Sequence, residues 1–305
     1  MTITTTARRW TLCVSATVAL LAGTSALGQS ADPISSDPPS TDAAFPAGLR
    51  SYTIKIDSAT LHGRALLAQG KGPHPTILLL PGLPGNELNM DVAQAARRAG
   101  WNVFTFHYRG SWGSGGEYSF NNVLADTAAA LTHIRGLAAD ENSRVNSKRI
   151  VLVGHGVGGF AALTVGAADP EVRSIASISG FDAGRTGNTI PGDQDRKQSY
   201  IGAFKNMNGL RVSDPETLVE QWVSAAPEWQ FEKLPPKLRK KNVLLVAASM
   251  DTAYPPATHH ASLAAALKAG LGAAFTEVWL DTDHSYSNRR IALTRAVLSW
   301  LEGQR

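Results

Sequence analysis

The chain predicts an α/β protein: a mostly parallel central sheet with helices on both faces and a small helical lid inserted at the strand ends. Three observations lead there. From residue 52 to 301, short apolar or β-branched runs alternate with helix-like segments. Residues 149–169 read as a buried strand, a glycine-rich turn and an apolar helix stopped before Pro170. A chain of 305 residues, 43% hydrophobic and 18% charged, is long enough for one large α/β domain or two small ones.

Residues 1–28 read as an export signal, with Arg8-Arg9, an apolar run over 10–23 and small residues ending at Gly28. The run is shorter than the ~20 apolar residues of a spanning helix, so cleavage is expected and no stable membrane anchor afterwards. Cys13, the single cysteine, lies inside this segment, so the mature chain is expected to have no disulfide, thiolate nucleophile or cysteine metal site. Residues 29–48, rich in Ser, Pro and Asp, are expected to be a flexible leader to a domain over 49–305.

Residues 52–57 and 63–68 look like an antiparallel pair, and 76–80 like a fully buried strand. A helix over 87–99 ends at Gly100, a strand covers 102–107, and a helix covers 122–137. Strands at 150–153, 174–179, 242–248 and 275–280 follow, with helices over 257–269 and 288–301. Residues 181–241 break this rhythm and carry Tyr200, Phe204, Trp222, Trp229 and Phe231. That insertion is either a lid over a site or a helical excursion packed for its own stability.

Charge excludes one class of partner. The formal charge of +4 falls to +2 without Arg8 and Arg9, which leaves 27 basic against 25 acidic residues. The one dense cluster, Lys237 to Lys241, reads as a solvated face, so nucleic acid is not an expected partner.

Ligands of open parallel sheets bind beyond the carboxyl ends of the strands. Four polar or glycine-rich loops leave such ends: Pro81-Gly82-Leu83-Pro84-Gly85, Gly154-His155-Gly156-Val157-Gly158-Gly159, Ser249-Met250-Asp251, and Asp281-Thr282-Asp283-His284. The second also fits G-x-G-x-x-G through Gly154, Gly156 and Gly159, the fingerprint of a Rossmann dinucleotide site. A Rossmann unit opens its domain, whereas about three strands precede this stretch.

In this order the loops resemble those of the α/β-hydrolase fold. Gly154 to Gly159 is similar to the elbow G-H-S-x-G-G with glycine in place of serine, and Pro81 to Asn86 to the H-G-x-x-G loop after the third strand, with proline in place of histidine. Arg109-Gly-Ser-Trp-Gly-Ser114 resembles the R-G-x-G-x-S turn of many members, and is read here as structural. The resemblance implies Gly156 at the nucleophile position, Asp251 as the acid that orients His284, and His284 as the general base. It further implies an oxyanion hole from the N–H groups of Leu83 and Val157. Asp281 and Asp283 are alternative acids, though close in sequence to the histidine they would orient. His155 is read as structural, and adjacent His259 and His260 point about 100° apart on a helix. No metal site and no cofactor are expected.

Three readings of Gly156 stay open: an inactive variant of a serine hydrolase, a binding protein that keeps the pocket, and slow water attack assisted by His284 and Asp251. The expected partner is a small-molecule acyl substrate or ligand. Glycine tolerates elbow dihedrals better than alanine, and a serine at 156 is expected to change stability by only about ±1 kcal/mol.

Overall fold

The computed structural model describes residues 1–2, 31–271 and 274–304. The expected export signal over 1–28 lies outside the described residues, apart from Met1 and Thr2. Among the described residues no helix is long and apolar enough to cross a membrane.

Eight strands form one sheet among the described residues: β1 (Gly48–Ile56), β2 (Ala59–Leu67), β3 (His74–Leu80), β4 (Asn102–Phe106), β5 (Val145–His155), β6 (Ser174–Ile178), β7 (Asn242–Ala248) and β8 (Phe275–Leu280). Their order is β1-β2-β4-β3-β5-β6-β7-β8. β1–β2 and β2–β4 pair antiparallel, and every pairing from β4 across to β8 is parallel. Chain order reverses direction across the sheet between β3 and β5, and a crevice opens at such a switch point.

Each face carries its own core. Helices α2 (Phe120–Gly136) and α3 (Val157–Ala168) cover one face, where Leu78, Phe104, Leu152 and Phe160 are buried. Helices α1 (Met90–Arg98) and α10 (Arg290–Glu302) cover the other, over Ile77, Val103, Val151 and Val246. Central strands buried on both faces have no polar alternation, which is why 150–153 reads as an unbroken apolar run.

Several boundaries differ from expectation for identifiable reasons. β5 starts at Val145, because the polar residues 146–149 still extend the strand alongside β3 across a register shift. Helix α1 starts at Met90, since Asn89 is left-handed at φ 49° and its N–H is taken by the Glu87 carboxylate. The helix expected over 257–269 is two, α8 (Pro256–His259) and α9 (Ala261–Leu271), interrupted at His260, whose ring bonds Glu277. The expected flexible leader is tied down over its described part. Arg144 donates to the carbonyls of Phe45 and Pro46, Arg98 to those of Pro33 and Ile34, and Arg295 pairs with Asp32.

The insertion forms α4 (Ala183–Gly187), α5 (Gln194–Asn206), α6 (Pro215–Trp229) and α7 (Pro235–Leu238). Its large aromatics turn inward. Trp222 packs tilted against Phe120 of α2 at 4.8 Å and donates its indole N–H to the Ala183 carbonyl, and Trp229 meets Phe160 of α3 at 5.5 Å. Phe204 and Phe231 are buried in the same core. These side chains are therefore core first, and an aromatic lid face is not what they build.

The elbow glycines do different work from a simple turn. Only Gly156 among them has a positive φ; Gly158 and Gly159 are already helical. A Cβ on Gly158 would run into the Leu80 carbonyl, and one on Gly154 into the Gly158 carbonyl. Gly158→Ala is therefore expected to destabilise by about 3 kcal/mol through overpacking against backbone. Gly202→Ala, in α5 with nothing within 4 Å of the new methyl, is expected to stabilise by about 0.5–1 kcal/mol. Urea denaturation of the two variants measures both; a neutral Gly158→Ala would refute the close-approach account.

Candidate active site

Four strand ends build the site. β5 delivers His155 and then Gly156 at φ 55°, ψ −116°, a sharp corner from which α3 starts immediately. As the first residue of α3, Val157 has an N–H without an intrahelical acceptor. β3 delivers the loop 81–85 beside that corner: a Cβ on Gly82 would lie 3.2 Å from the His155 carbonyl oxygen. Among the described residues neither the Leu83 nor the Val157 N–H has a protein acceptor.

The turn after β4 clamps the 81–85 loop. Ser111 Oγ and Trp112 Nε1 both donate to the Pro84 carbonyl, each at 2.9 Å, and Tyr108 Oη donates to that of Pro81. Arg109 anchors the turn to α2 through a two-point contact with buried Asp126, by its N–H and its Nε, both at 2.7 Å. The same turn holds the insertion, with Trp112 N–H donating to the Gly209 carbonyl and Arg211 N–H to that of Gly110.

β7 and β8 deliver Asp251 and His284. Their loops are laced together by Ser249 N–H to the Leu280 carbonyl and Met250 N–H to that of Thr282. His284 Nδ1 lies 2.7 Å from Asp251 Oδ2, and Asp251 Oδ1 accepts the Tyr254 N–H at 2.7 Å. Burial pushes the Asp251 carboxyl up, but the bonds from His284 and Tyr254 outweigh it and the group stays below the usual carboxylate range. A carboxylate only accepts, so Nδ1 of His284 carries the proton and Nε2 is left as an acceptor. That nitrogen faces the elbow: a Cβ built on Gly156 would lie 3.4 Å from His284 Nε2 and 3.1 Å from Tyr254 Cε2.

His155 fastens the elbow to the histidine loop. Its Nε2 donates to the His284 carbonyl at 2.9 Å, and the two rings stack at 4.7 Å. Burial, followed by the neighbouring His284, drives its pKa down to about 3, so it is a neutral donor. Asp281 accepts from Ser249 Oγ and Asp283 from Ser287, so neither alternative acid is engaged with the His284 ring. His259 accepts the Asp182 N–H through Nδ1, and His260 bonds Glu277. Among the described residues no three His, Asp or Glu side chains are grouped as metal ligands.

Tyr254 was not singled out from sequence. It packs edge-on to His284 at 4.7 Å and against Phe181 at 4.6 Å, walling one side of the corner. Its only signal is its place three residues after Asp251, where the backbone N–H can cap the carboxylate. Tyr254 also changes one expectation. A side chain at 156 must accept a positive φ and crowd that ring, so a serine there costs on the order of 1–3 kcal/mol, not ±1. Clefts of about 440, 450 and 560 Å³ open elsewhere, and none of these three is lined by Gly156, Asp251 or His284. The hydrogen-bonded pair outranks cleft size in locating the site, because proton transfer needs atoms within reach whatever the volume.

A mostly parallel sheet with this strand order, a glycine corner between β5 and α3, and an Asp–His pair from the last two strands together define an α/β-hydrolase fold. The chain belongs to the alpha/beta hydrolase family, whose model matches residues 77–300. The uncharacterized protein YfhR of Escherichia coli K12 is 30% identical over 148 residues, 45% of this chain and 50% of that protein. The chain thus spans about half the length of the curated relatives it matches. Among solved structures, DcsB in complex with its substrate analogue is similar with a TM-score of 0.62 at 19% identity, covering 84% of this chain and 99% of that one. Est1E from Butyrivibrio proteoclasticus gives 0.60 at 18% identity, covering 83% and 98%. The acylaminoacyl peptidase of Pyrococcus horikoshii gives 0.61 at 14%, covering 84% and 41%. At these identities the likeness is one of fold.

Two histidines and one aspartate beside the site set an acid response. His155 titrates near 3 and His259, lowered chiefly by burial, near 4, so the folded protein binds fewer protons there than the unfolded chain, where histidine titrates near 6.5. Their stabilisation is full above pH 6.5 and is lost as pH falls toward those values. Asp182, raised by burial to about 6, works in the opposite direction, since protonating it below pH 6 favours the folded state. The histidines outweigh it, and unfolding free energy is expected to drop by about 2 kcal/mol from pH 7 to 5. Urea titrations at the two pH values, with His155→Gln removing part of the drop, check this. A flat profile would mean these groups are not buried as described.

Proposed function

We propose that this site belongs to a hydrolase of carboxylic esters or amides in which Gly156 occupies the nucleophile position. One observation carries the reading: a β-carbon at 156 would stand 3.4 Å from His284 Nε2, while the other ring nitrogen is held by Asp251 at 2.7 Å. An Oγ on that carbon would lie within reach of the imidazole, which would take its proton as the hydroxyl attacked an acyl carbon. The free N–H groups of Leu83 and Val157 would receive the negative charge that builds on the acyl oxygen. Similarity of fold to a protein named as an acylaminoacyl peptidase agrees with acyl chemistry.

With glycine at 156, attack by water on a bound acyl group, assisted by His284, is the remaining route. Loss of a triad serine costs on the order of 10⁶ in kcat in another hydrolase and leaves a residual ~10³–10⁴ over water. The chain as written is thus chiefly a binder of small acyl compounds, narrow at the corner because Tyr254 stands 3.1 Å from the β-carbon position.

The test is Gly156→Ser assayed with short p-nitrophenyl esters. Turnover is expected to rise by several orders of magnitude, toward the ~10⁶ that the nucleophile is worth elsewhere, and to vanish again when His284→Ala is added. A folded serine variant inert to activated esters and to fluorophosphonate probes would sink the proposal.

The protein is further proposed to be exported, on the strength of Arg8-Arg9 and the apolar run that follows them. N-terminal sequencing of protein recovered from the cell envelope or medium is expected to begin near Gln29. Recovery of cytosolic protein with Met1 intact would refute export.

A further inference from the structure

The sheet face under α1 changes character toward β1. The cross-strand pair Leu66–Val103 belongs to the apolar core there. The next row across the strands is Ser51–Arg64–Thr105, and the row beyond brings Thr53 opposite His62, whose carbonyl accepts the His107 N–H. Two successive rows of hydroxyl, guanidinium and imidazole groups thus lie side by side on one face. With Trp112, they line a cleft of about 440 Å³.

Three features separate this cleft from an ordinary solvated half-sheet. None of its lining residues is a carboxylate, so the Arg64 charge in it is uncompensated from within. Thr105 is only 1% exposed, yet its hydroxyl has no hydrogen-bond partner. His107 beside it also has a buried Nδ1; burial first, and then the Arg64 charge, disfavour protonation of its ring, against a bond to the Gly85 backbone. A buried hydroxyl without a partner costs about 1–3 kcal/mol, so the Thr105 O–H, on the floor of a cleft beside the Arg64 charge, asks for an acceptor.

We propose that this cleft is a binding site for a small oxyanion, a carboxylate or phosphate group on a soluble molecule, received by the Arg64 guanidinium and the Thr105 hydroxyl. Arg64 is exposed and stands directly opposite Thr105, so its planar fork can close over an anion that the hydroxyl holds from below. A cation would meet Arg64 with nothing negative in the lining to offset it. A neutral polyol would leave that charge unanswered. The site is independent of the chemistry at Gly156.

The experiment titrates inorganic phosphate, acetate and glycerol separately into the full chain at constant ionic strength, following the backbone amides of residues 62, 64, 105 and 107 by NMR. Saturable shifts with phosphate or acetate are expected; the anion that saturates at lower concentration identifies the ligand group. Arg64→Gln, at an exposed position, should weaken binding about tenfold, as loss of a charged hydrogen bond does. Thr105→Val should also weaken it, and Thr105→Ser should restore it. The proposal is overturned if neither anion gives saturable shifts, if Arg64→Gln leaves the affinity unchanged, or if glycerol alone binds.

Discussion

The structure depends on how closely the first turn of α3 approaches the ends of β3 and β5. Leu80 and Pro81 carbonyls occupy the space that a Cβ on Gly158 would need, and Gly154 lies against the Gly158 carbonyl. This contact admits backbone only. It forces the chain through a single left-handed residue, Gly156, and aims the α3 N-terminus at the crevice between β3 and β5. Helix-terminal N–H groups in such a place are unsatisfied and carry the positive end of the helix dipole. The loop 81–85 sits beside that terminus because the β3 end is pinned there, so the two free amides share one cause.

The Asp–His pair is organised by a second set of ties. His284 is gripped at three points: its ring by Asp251, its carbonyl by His155, and its edge by Tyr254. Further along, Ser179 and Tyr286 hydroxyls bond at 2.8 Å, and Tyr286 reaches the Val246 carbonyl. Both residues have positive φ, at 43° and 59°, so two loops hold left-handed corners against each other. A residue so oriented loses little freedom when it acts, and that is where preorganisation comes from.

The fold was legible where burial on both faces leaves an apolar run, as in β7, which matches the expected 242–248; β8, a half-exposed edge strand, also matches the expected 275–280 through its β-branched and aromatic residues. It was not legible where long-range bonds decide. The start of α1 depends on Asn89, which bonds Arg290 from the far end of the chain, and no local pattern in 87–99 reports that. The start of β5 is polar because that half of the strand is partly exposed. In the site, Asp251 and His284 were readable from their order among the loops, and they meet. Tyr254 was not, because an aromatic after an aspartate has no signature until the carboxylate captures its N–H. The aromatics of 181–241 left open a lid over a site or an excursion packed for its own stability, because composition does not say which way a ring faces. Trp222 and Trp229 face the core.

The clamp on Pro84 has one more consequence. Ser111 and Trp112 hold the loop on one side, while Gly110, Ser111 and Trp112 pair with residues 209–211 of the insertion on the other. Gly209, at φ 82°, must stay bare because the Trp112 indole fills the space beside it. The insertion is therefore no interchangeable cassette. A foreign helical segment grafted between β6 and β7 would have to reproduce that glycine and its register, or it would unseat a loop more than a hundred residues earlier in the chain.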